Sequence, residues 1–478
     1  MNKSELYTYI DANADRFTAV SDAIWEYAEL SLQEYRSADC YEKALKDAGF
    51  AVTRGLAGID TAVIGTFGSG HPVIGILGEY DALTGLSQVA GETEHKPRPE
   101  CETGHGCGHN LLGAGSFAAA CAVKYYLEQT GKQGTVIFYG CPGEEGGAAK
   151  AFFAKENEFT KLDAAFSWHP DSANQVSSGS TMACIQKEYR FTGVAAHAAG
   201  NPEQGRSALD AAELMNIGVQ FLREHMPVTA SVHYAFTDGG GVSPNVVQPD
   251  ARVLYMIREA DNHSTLALEK RVDAIAAGAA MMSETKVETR FIDGLSNVVP
   301  NRVLETLLQR CFEQVPMPEY TQEELGFYEK LRETYADRVK GLPGYAAEID
   351  AAIAAIVDEK SEHGTRPIND FLMPYLFSTT TMPGSTDVGD VSWQTPTAQI
   401  ATATWPSMSP GHSWQNVACG KSSVAHKGML LAAKVLAAAC AELIDDPKQL
   451  EPARTEFEAR TKAGFISLIP DGAKPEIV

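Results

Sequence analysis

The sequence predicts an α/β protein built as a layered sheet domain with a ferredoxin-like α+β domain inserted into it. Three observations support this prediction. A chain of 478 residues is too long for one ordinary hydrophobic core. Short apolar segments alternate with helical patterns up to about residue 186, which is typical of layered α/β sheets. Between residues 187 and 295 the predicted order becomes β-α-β-β-α-β, which is the order of ferredoxin-like domains.

The first part of the sheet domain is predicted over residues 1–186. A helical pattern over residues 5–48 ends at Gly49, a common stop signal. The remaining elements are strands at Thr61–Phe67, Pro72–Leu77, Thr135–Tyr139 and Ala164–Trp168, and a helix over residues 111–129. Polar side chains follow directly after several of these strands. Open α/β sheets bind ligands at the carboxyl ends of their strands, so we expect a functional site there.

The inserted domain is predicted over residues 187–295. Its predicted strands are Glu188–Thr192, Ala230–Phe236, Ala251–Ile257 and Lys286–Phe291, and its helices are Ser207–Arg223 and Leu266–Met282. Two connections, near residues 186 and 295, would join it to the sheet domain. This arrangement is suited to hinge closure.

Residues 296–478 are predicted to complete the first domain. Between about 316 and 365, Glu, Tyr, Lys and Arg recur at helical spacing, which indicates a helical surface insertion. Glycine-rich turns and strands are expected from Gly384 onward. The apolar run Gly428–Ile444 is too short for a membrane span and predicts a core helix. The last residues, from Pro470 on, are expected to form a loose tail.

Composition limits the classes of function. Hydrophobic residues make up 44% of the chain and charged residues 21%, as in globular proteins. The formal net charge of −23 disfavours nucleic acid and anionic membrane surfaces as partners, although a local cationic pocket can still bind a small anion. Nine cysteines without regular spacing favour a reduced, cytoplasmic protein over a disulfide framework. The polar N-terminus shows no signal-peptide pattern.

Two glycine-rich turns contain residues with metal-binding chemistry. Residues 104–110 read Gly-His-Gly-Cys-Gly-His-Asn and offer a thiol and an imidazole two positions apart. Residues 142–147 read Pro-Gly-Glu-Glu-Gly-Gly and offer two adjacent carboxylates. Glycines allow the backbone to bend enough to direct short side chains at one point. A divalent metal with a free carboxylate beside it indicates hydrolysis.

Further motifs extend these turns into an ordered set that covers nearly the whole chain. They are Gly-Glu-Tyr-Asp-Ala-Leu at 78–83, Trp-His-Pro at 168–170, Ala-Ala-His-Ala-Ala at 195–199, Gly-Ser-Thr-Asp-Val-Gly-Asp-Val-Ser-Trp at 384–393, Gly-His-Ser-Trp at 411–414 and Ala-His-Lys-Gly-Met-Leu-Leu-Ala-Ala-Lys at 425–434. In this order they resemble the M20 family of metallopeptidases and amidohydrolases, and within it the aminoacylase-like branch, where a cysteine replaces a bridging carboxylate. The resemblance implies an α/β catalytic domain of the M20 phosphorylase/hydrolase-like type with an inserted lid and dimerisation domain.

The resemblance assigns five metal ligands. They are Cys107, His109, Glu145, His169 and His412, with the Cys107 thiolate bridging two ions and each of the last two histidines binding one ion. Taken singly, each position has an alternative: a buried free cysteine, a hydrogen-bonded core histidine or a solvated loop glutamate. The ordered set of motifs favours metal.

The resemblance also assigns residues that act on the substrate. Glu144 would be the general base, and His197 would reach across a dimer to polarise the scissile carbonyl. Asn245 and Arg258 would hold the carboxylate of the amino-acid half, the arginine through its planar fork. The alternatives are solvated charges for Glu144 and Arg258, and turn residues for His197 and Asn245.

Four further residues have open roles. Asp81 and His105 either support the metal ligands from behind or are simple turn residues. Asp387 and Asp390 either support the site in the same way or cap a helix.

The resemblance implies a dinuclear metal amidohydrolase with two divalent ions per chain. Zinc suits thiolate and imidazole donors, whereas the aminoacylase-like branch favours manganese. The implied substrate is a small N-acyl amino acid with a free α-carboxylate, p-aminobenzoyl-glutamate (a folate fragment) being favoured. An aminoacylase or dipeptidase acting on other N-acyl amino acids is the alternative.

The inserted domain is the expected assembly surface, either in a homodimer or in a heterodimer with a related M20 subunit. A third interpretation is a non-catalytic partner subunit that binds metal and lends His197 to another chain. Because Glu144 and all five expected ligands are present, whereas a decayed subunit usually loses one of them, the sequence favours a catalytic chain.

Overall fold

The computed structural model describes residues 3–477 of the chain. Its helices are α1 (Lys3–Ala12), α2 (Ala14–Tyr27), α3 (Tyr35–Asp47), α4 (His109–Thr130), α5 (Ala149–Lys155), α6 (Ala208–Leu222), α7 (Asn262–Met282), α8 (Arg302–Gln314), α9 (Gln322–Glu333), α10 (Tyr345–Ile349), α11 (Ala351–Lys360), α12 (Val388–Ser392), α13 (Trp414–Cys419), α14 (Ser423–Asp445) and α15 (Leu450–Arg460). Its strands are β1 (Ala51–Arg54), β2 (Val63–Ser69), β3 (Val73–Glu79), β4 (Leu83–Thr84), β5 (Thr103–Gly104), β6 (Gly134–Cys141), β7 (Ala164–Asp171), β8 (Gln175–Ser177), β9 (Ser180–Thr181), β10 (Ala183–Thr192), β11 (Ser231–Asp238), β12 (Asp250–Glu259), β13 (Lys286–Leu295), β14 (Thr381–Met382) and β15 (Thr397–Ala403).

A seven-stranded mixed sheet, ordered β1-β2-β6-β3-β7-β15-β8, forms the centre of the larger unit. The four strands β6, β3, β7 and β15 run parallel to one another, while β1, β2 and β8 pair antiparallel with their neighbours. One hydrophobic cluster packs α1, α4, α8 and α14 on the sheet, and a second packs α5 and α12. The predicted layered α/β sheet is therefore confirmed, and its parallel strands bring their carboxyl ends to one edge.

Helix α4 connects this edge to the core. Gly108, with φ +73°, lets the chain turn from Cys107 directly into the helix. Further along, a Cβ at Gly113 would lie 2.3 Å from the Tyr41 hydroxyl, so the glycine permits close packing on the sheet. The Trp168 indole of β7 donates a hydrogen bond to the carbonyl of Leu112 at 2.9 Å. The start of α4 is thus held beside the end of β7.

A second sheet, ordered β11-β12-β10-β13, lies within residues 183–295. All three strand pairs are antiparallel, and α6 and α7 pack on the sheet through one apolar cluster. In chain order this is the predicted β-α-β-β-α-β arrangement of a ferredoxin-like fold. That this unit begins and ends as a separate domain at residues 187 and 295 stays a prediction.

Two details differ from the sequence predictions. The helical pattern over residues 5–48 is divided into α1, α2 and α3, with breaks at Asn13 and at Ala28, whose left-handed conformation (φ 41°) ends α2. The chain after Gly384 contributes one strand, β15, to the main sheet and is otherwise largely helical. The tail from Pro470 to Ile477 has no helix or strand and is mostly exposed, as predicted, whereas Leu468 and Ile469 just before it are buried in two apolar clusters.

The predicted core helix is confirmed as α14, which packs along α4. Helices α9, α10 and α11 lie near residues 316–365, where the sequence predicted helices, and that this segment is an insertion stays a prediction. Across residues 3–477, none of the helices combines the length and apolar character needed to cross a membrane. The nine cysteines are free thiols.

Candidate metal centre

Three potential ligands meet where β7 ends and α4 begins. The ligand atoms of Cys107, His109 and His169 all lie within 4.8 Å of one another. The Cys107 Sγ is 3.4 Å from His169 Nε2. Cys107 reaches this point from the turn before α4, and His169 comes from the strand that α4 packs against.

A second cluster shares the same thiol. Cys107, Glu145 and His412 also have ligand atoms within 4.8 Å of one another. The His412 Nε2 lies 3.2 Å from Glu145 Oε1, which raises the pKa of His412 and, although burial opposes it, lowers that of Glu145. The backbone of His412 is held at φ 49°, an uncommon conformation for a residue other than glycine.

The two clusters fit a pair of divalent ions. Neighbouring ligand atoms 3.2–3.4 Å apart are spaced like donors around one ion at about 2.0–2.3 Å. His109 Nε2 and Glu145 Oε1 are buried and make no hydrogen bond of good geometry, although Glu79 lies 3.3 Å from the first atom and His412 lies 3.2 Å from the second. Leaving such an atom unsatisfied costs about 1–3 kcal/mol. These orphaned atoms, directed towards a shared thiol, are what a metal site requires.

Hydrogen bonds behind the ligands set their orientation. Asp81 lies 2.8 Å from His109 Nδ1, so this nitrogen donates and Nε2 is left to bind metal. The other Asp81 oxygen accepts the backbone N–H of Glu145 at 2.9 Å. Although burial raises the pKa of Asp81, His109 and these donors lower it to about 2. His169 Nδ1 similarly faces the Pro170 carbonyl at 2.6 Å.

The two adjacent glutamates diverge, as the sequence predicts. Glu145 faces Cys107 and His412, whereas Glu144 lies with Glu79 and His109. Glu144 is partly buried, and desolvation together with the charges of Glu79 and Glu145 raises its pKa well above the usual range. A carboxyl group with a raised pKa suits proton transfer.

A buried ion network supports this region, and sequence reasoning missed two of its members. Lys150 is fully buried and lies 2.8 Å from Glu79, which in turn is 3.3 Å from His109 Nε2. Lys150 also pairs with Asp387. Glu79 lies within the 78–83 motif, and its position at the end of an apolar strand could have marked it as a site residue. No feature of the sequence around Lys150 indicates its role, because only the folded chain brings α5 next to the end of β3.

The remaining supporting residues have structural partners. Asp387 contacts Lys150, and Asp390 accepts two hydrogen bonds from Ser296. Neither aspartate caps α12 with its side chain. Asp387 occupies the N-cap position but makes no side-chain cap hydrogen bond, and Asp390 lies within the helix. His105 is buried with Nε2 at 3.0 Å from the Ile24 carbonyl, and burial lowers its pKa to about 4.

His197 and Asn245 lie on two paired loops of the smaller unit. The Ala198 N–H donates to the Asn245 carbonyl at 2.9 Å, and both side chains are exposed. His197 Nδ1 accepts from the backbone N–H groups of Ala199 and Gly200 at 3.2 and 2.9 Å. In residues 3–477 the hydrogen bonds of His197 stay within its own loop, so the structure does not bring it to the metal clusters of the same chain.

Arg258 lies at the boundary between the two units. It is the last residue but one of β12, and its guanidinium approaches the Pro383 carbonyl at 3.5 Å and interacts with Cys184 and Asp293. Its Nε is buried without a hydrogen-bond partner. Arg258 therefore lies next to the 384–393 motif with one unused donor.

The fold and the clustered ligands are those of metal-dependent peptidases and amidohydrolases. The sequence matches the model of peptidase family M20/M25/M40 over residues 75–361, and the chain belongs to this family. It is 45% identical over 465 residues, covering 96% of both chains, to the B subunit of p-aminobenzoyl-glutamate hydrolase from Escherichia coli strain K12.

More distant relatives share the family. The chain is 30% identical over 313 residues to a human Xaa-Arg dipeptidase, covering 62% of this chain and 67% of the relative. It is 26% identical over 268 residues to the A subunit of p-aminobenzoyl-glutamate hydrolase from Escherichia coli strain K12, covering 53% of this chain and 60% of the relative.

Solved structures share the fold. An aminobenzoyl-glutamate utilization protein from Klebsiella pneumoniae superposes with a TM-score of 0.60 at 17% identity, covering 91% of this chain and 98% of that one. A dinuclear metal-binding M20 peptidase from Bacillus subtilis superposes with a TM-score of 0.56 at 16% identity, covering 91% and 99%.

Proposed function

We propose that this chain hydrolyses the amide bond of p-aminobenzoyl-glutamate, releasing p-aminobenzoate and glutamate. The observation that carries the proposal is the pair of ligand clusters that share Cys107 beside the carboxyl group of Glu144. The relative that is 45% identical over 96% of the chain supports the choice of substrate.

Two divalent ions are proposed, one held by Cys107, His109 and His169 and the other by Cys107, Glu145 and His412. When bound, such ions lower the pKa of a shared water and polarise the substrate carbonyl. Manganese is proposed on the resemblance to the aminoacylase-like branch. The thiolate and imidazole donors make zinc the alternative to be measured against it.

Glu144 is the proposed general base. Its carboxylate would take a proton from the attacking water and later pass it to the nitrogen of the leaving glutamate. Desolvation, together with the Glu79 and Glu145 carboxylates, raises the pKa of Glu144, and a raised pKa makes its carboxylate a stronger base for the first transfer. The fixed position of Glu145, whose N–H binds Asp81, keeps the two glutamates pointing apart.

Arg258 and Asn245 are proposed to bind the carboxylate of the glutamate half. The unused Nε of Arg258 supports this role, since a guanidinium can bind a carboxylate through two parallel hydrogen bonds. His197 is proposed to serve the active site of a partner chain. Because its Nδ1 accepts two backbone N–H groups, its proton is on Nε2, which can donate to a carbonyl oxygen.

The smaller unit is the proposed assembly surface. Its edge strand β11 is largely exposed, and Phe221 of α6 and Met281 of α7 are 71% and 81% exposed. Unpaired edges and exposed apolar side chains favour association. The proposed assembly, which would act in the cytoplasm, is a homodimer or a heterodimer with a related M20 subunit.

Release of p-aminobenzoate from p-aminobenzoyl-glutamate tests the proposal. The purified chain is stripped with a chelator, loaded with Mn²⁺ or Zn²⁺, and assayed beside N-acetyl-glutamate and an Xaa-Arg dipeptide. We expect turnover of p-aminobenzoyl-glutamate only after metal is restored, at two ions per chain by elemental analysis. Turnover of the dipeptide alone would contradict the substrate, and absence of any turnover with two bound ions would contradict a self-sufficient catalytic chain.

A further inference from the structure

A cavity of about 390 Å³ adjoins the candidate metal centre. His169 of β7 lines it, together with Ala401 of the neighbouring strand β15. Much of the remaining wall is apolar: Val176, Val298, Pro300, Pro374, Leu376 and Met382. A concave apolar space beside a hydrolytic centre suits the uncharged part of a substrate.

Two acidic side chains interrupt this apolar wall, and one of them, Asp171, already accepts hydrogen bonds from the Ser172 N–H and the Gln175 amide. Glu305, in the first turn of α8, lines the cavity and is 2% exposed. The Tyr375 hydroxyl donates to Glu305 Oε2 at 2.9 Å, and Ser178 hydrogen bonds to the same carboxyl group. A carboxylate can accept about four hydrogen bonds. Burial raises the pKa of Glu305 to about 7, and in both its neutral and its ionised form the carboxyl group keeps an oxygen that can accept an N–H from a molecule in the cavity.

The strand register relates Glu305 to the metal centre. Ala401 pairs with His169 on one side and with Gln175 on the other, so these three residues lie at one level of the sheet, with Gln175 roughly 10 Å from His169 at ~4.8 Å per strand. Ser178, which binds Glu305, is three residues beyond Gln175 in the chain. His169 and Glu305 therefore line different parts of one cavity, which leaves space between them for a benzoyl ring.

We propose that this cavity binds the acyl half of the substrate and that Glu305 accepts a hydrogen bond from the para-amino group of the p-aminobenzoyl ring. The inference rests on the proposed function and adds the residue that selects the acyl group. A benzoyl ring without the para-amino group would fill the same apolar space, but the buried carboxyl group of Glu305 would then receive no hydrogen bond from the substrate. Specificity follows from that loss, because buried polar groups disfavour a ligand that cannot pair with them.

A purely structural Glu305 would only anchor Tyr375 and α8. The two roles differ in one measurable ratio, the kcat/KM for p-aminobenzoyl-glutamate divided by that for benzoyl-glutamate. A structural residue lowers both values together, whereas the proposed specificity residue changes their ratio, mainly through KM.

The experiment compares the wild-type chain with Glu305→Met and Glu305→Gln. We expect the wild type to prefer the amino substrate by roughly 10- to 100-fold. Glu305→Met should bring the ratio close to one, with Glu305→Gln in between because its amide oxygen can still accept. Glu313→Gln, an exposed change on the same helix, should leave the ratio unchanged. Glu305→Met leaves the Tyr375 hydroxyl without its hydrogen-bond acceptor. The double variant with Tyr375→Phe removes this hydroxyl as well, so it has no unpaired hydroxyl at that position.

Calorimetry of p-aminobenzoate and benzoate binding to the metal-loaded chain needs no turnover. We expect p-aminobenzoate to bind more tightly, and the difference to vanish in Glu305→Met. Equal binding of the two acids by the wild type, or an unchanged preference in both Glu305→Met proteins, would overturn the inference. If the wild type hydrolyses neither amide, the proposed function fails, while the binding preference still tests the cavity separately.

Discussion

Among single residues, Glu144 has the most specific proposed role, that of general base. Its carboxyl group lies with Glu79 and His109 and is absent from the cluster formed by Cys107, Glu145 and His412. It is therefore placed to transfer a proton while the five proposed ligands would hold the ions. Removing its acidity should affect catalysis and leave metal binding nearly intact.

Glu144→Gln should lower kcat for p-aminobenzoyl-glutamate by at least ~10²-fold, because the amide cannot accept the proton of the attacking water. Steady-state kinetics and the metal content of the same preparation are the measurements. Glu102→Gln, an exposed change in a nearby loop, is the matched control and should retain full activity. Loss of metal together with activity would show that Glu144 is a ligand.

Asp81→Asn should weaken metal binding by about 10- to 100-fold, because the carboxylate fixes His109 and the Glu145 backbone together. Competition with a chromophoric chelator measures the affinity, and excess metal should restore much of the activity. The exposed Asp60→Asn serves as the control. An unchanged affinity would assign Asp81 to the turn alone.

At the scale of elements, α4 links the hydrophobic core to the metal centre. It carries His109 at its first position and packs on β3 through Gly113, where an added Cβ would lie 2.5 Å from the Glu79 carbonyl oxygen. A backbone atom of a central strand cannot move aside easily. Packing of this helix and the position of the ligands are therefore coupled.

Gly113→Ala should lower the free energy of unfolding by about 1–3 kcal/mol through overpacking. Urea titration of the metal-free chain measures it. Gly278→Ala in α7 is the matched control, since a Cβ added there would have nothing within 4 Å. That change should raise stability by up to ~1 kcal/mol through helix propensity. Equal effects of the two substitutions would contradict the tight α4 contact.

At the scale of the whole molecule, the placement of His197 bears on assembly. The histidine lies exposed on the smaller unit, while Glu144 lies in the sheet unit. If His197 acts in the site of a partner, each active site contains parts of two chains. Two defective chains can then repair one another.

Mixing Glu144→Gln chains with His197→Ala chains should restore activity that neither has alone. In a homodimer about a quarter of wild-type activity is expected, since half of the dimers are mixed and each has one intact site. The dimer is dissociated and reassembled before the assay, and each variant reassembled with itself is the control. Recovery only on adding a different M20 chain would identify a heterodimer.

Local sequence patterns were sufficient to predict the order of the elements and the residues that cluster at the candidate metal centre. Apolar periodicity predicted the sheet strands and the ferredoxin-like order, because burial acts on short stretches of chain. Glycine-framed motifs marked Cys107, His109 and the two glutamates. The acidic residue Glu79 was visible in its motif, but nothing local distinguished it from Asp81.

Which distant groups lie side by side depends on tertiary packing. Contacts between segments far apart in the chain place Lys150 beneath Glu79 and Glu305 in the wall of the cavity, and they bury Leu468 and Ile469 just before the tail. Such contacts arise from packing of whole elements, which no local pattern records. The same reason explains why the ligands could be read from the sequence, whereas the pocket that would select the acyl group could not.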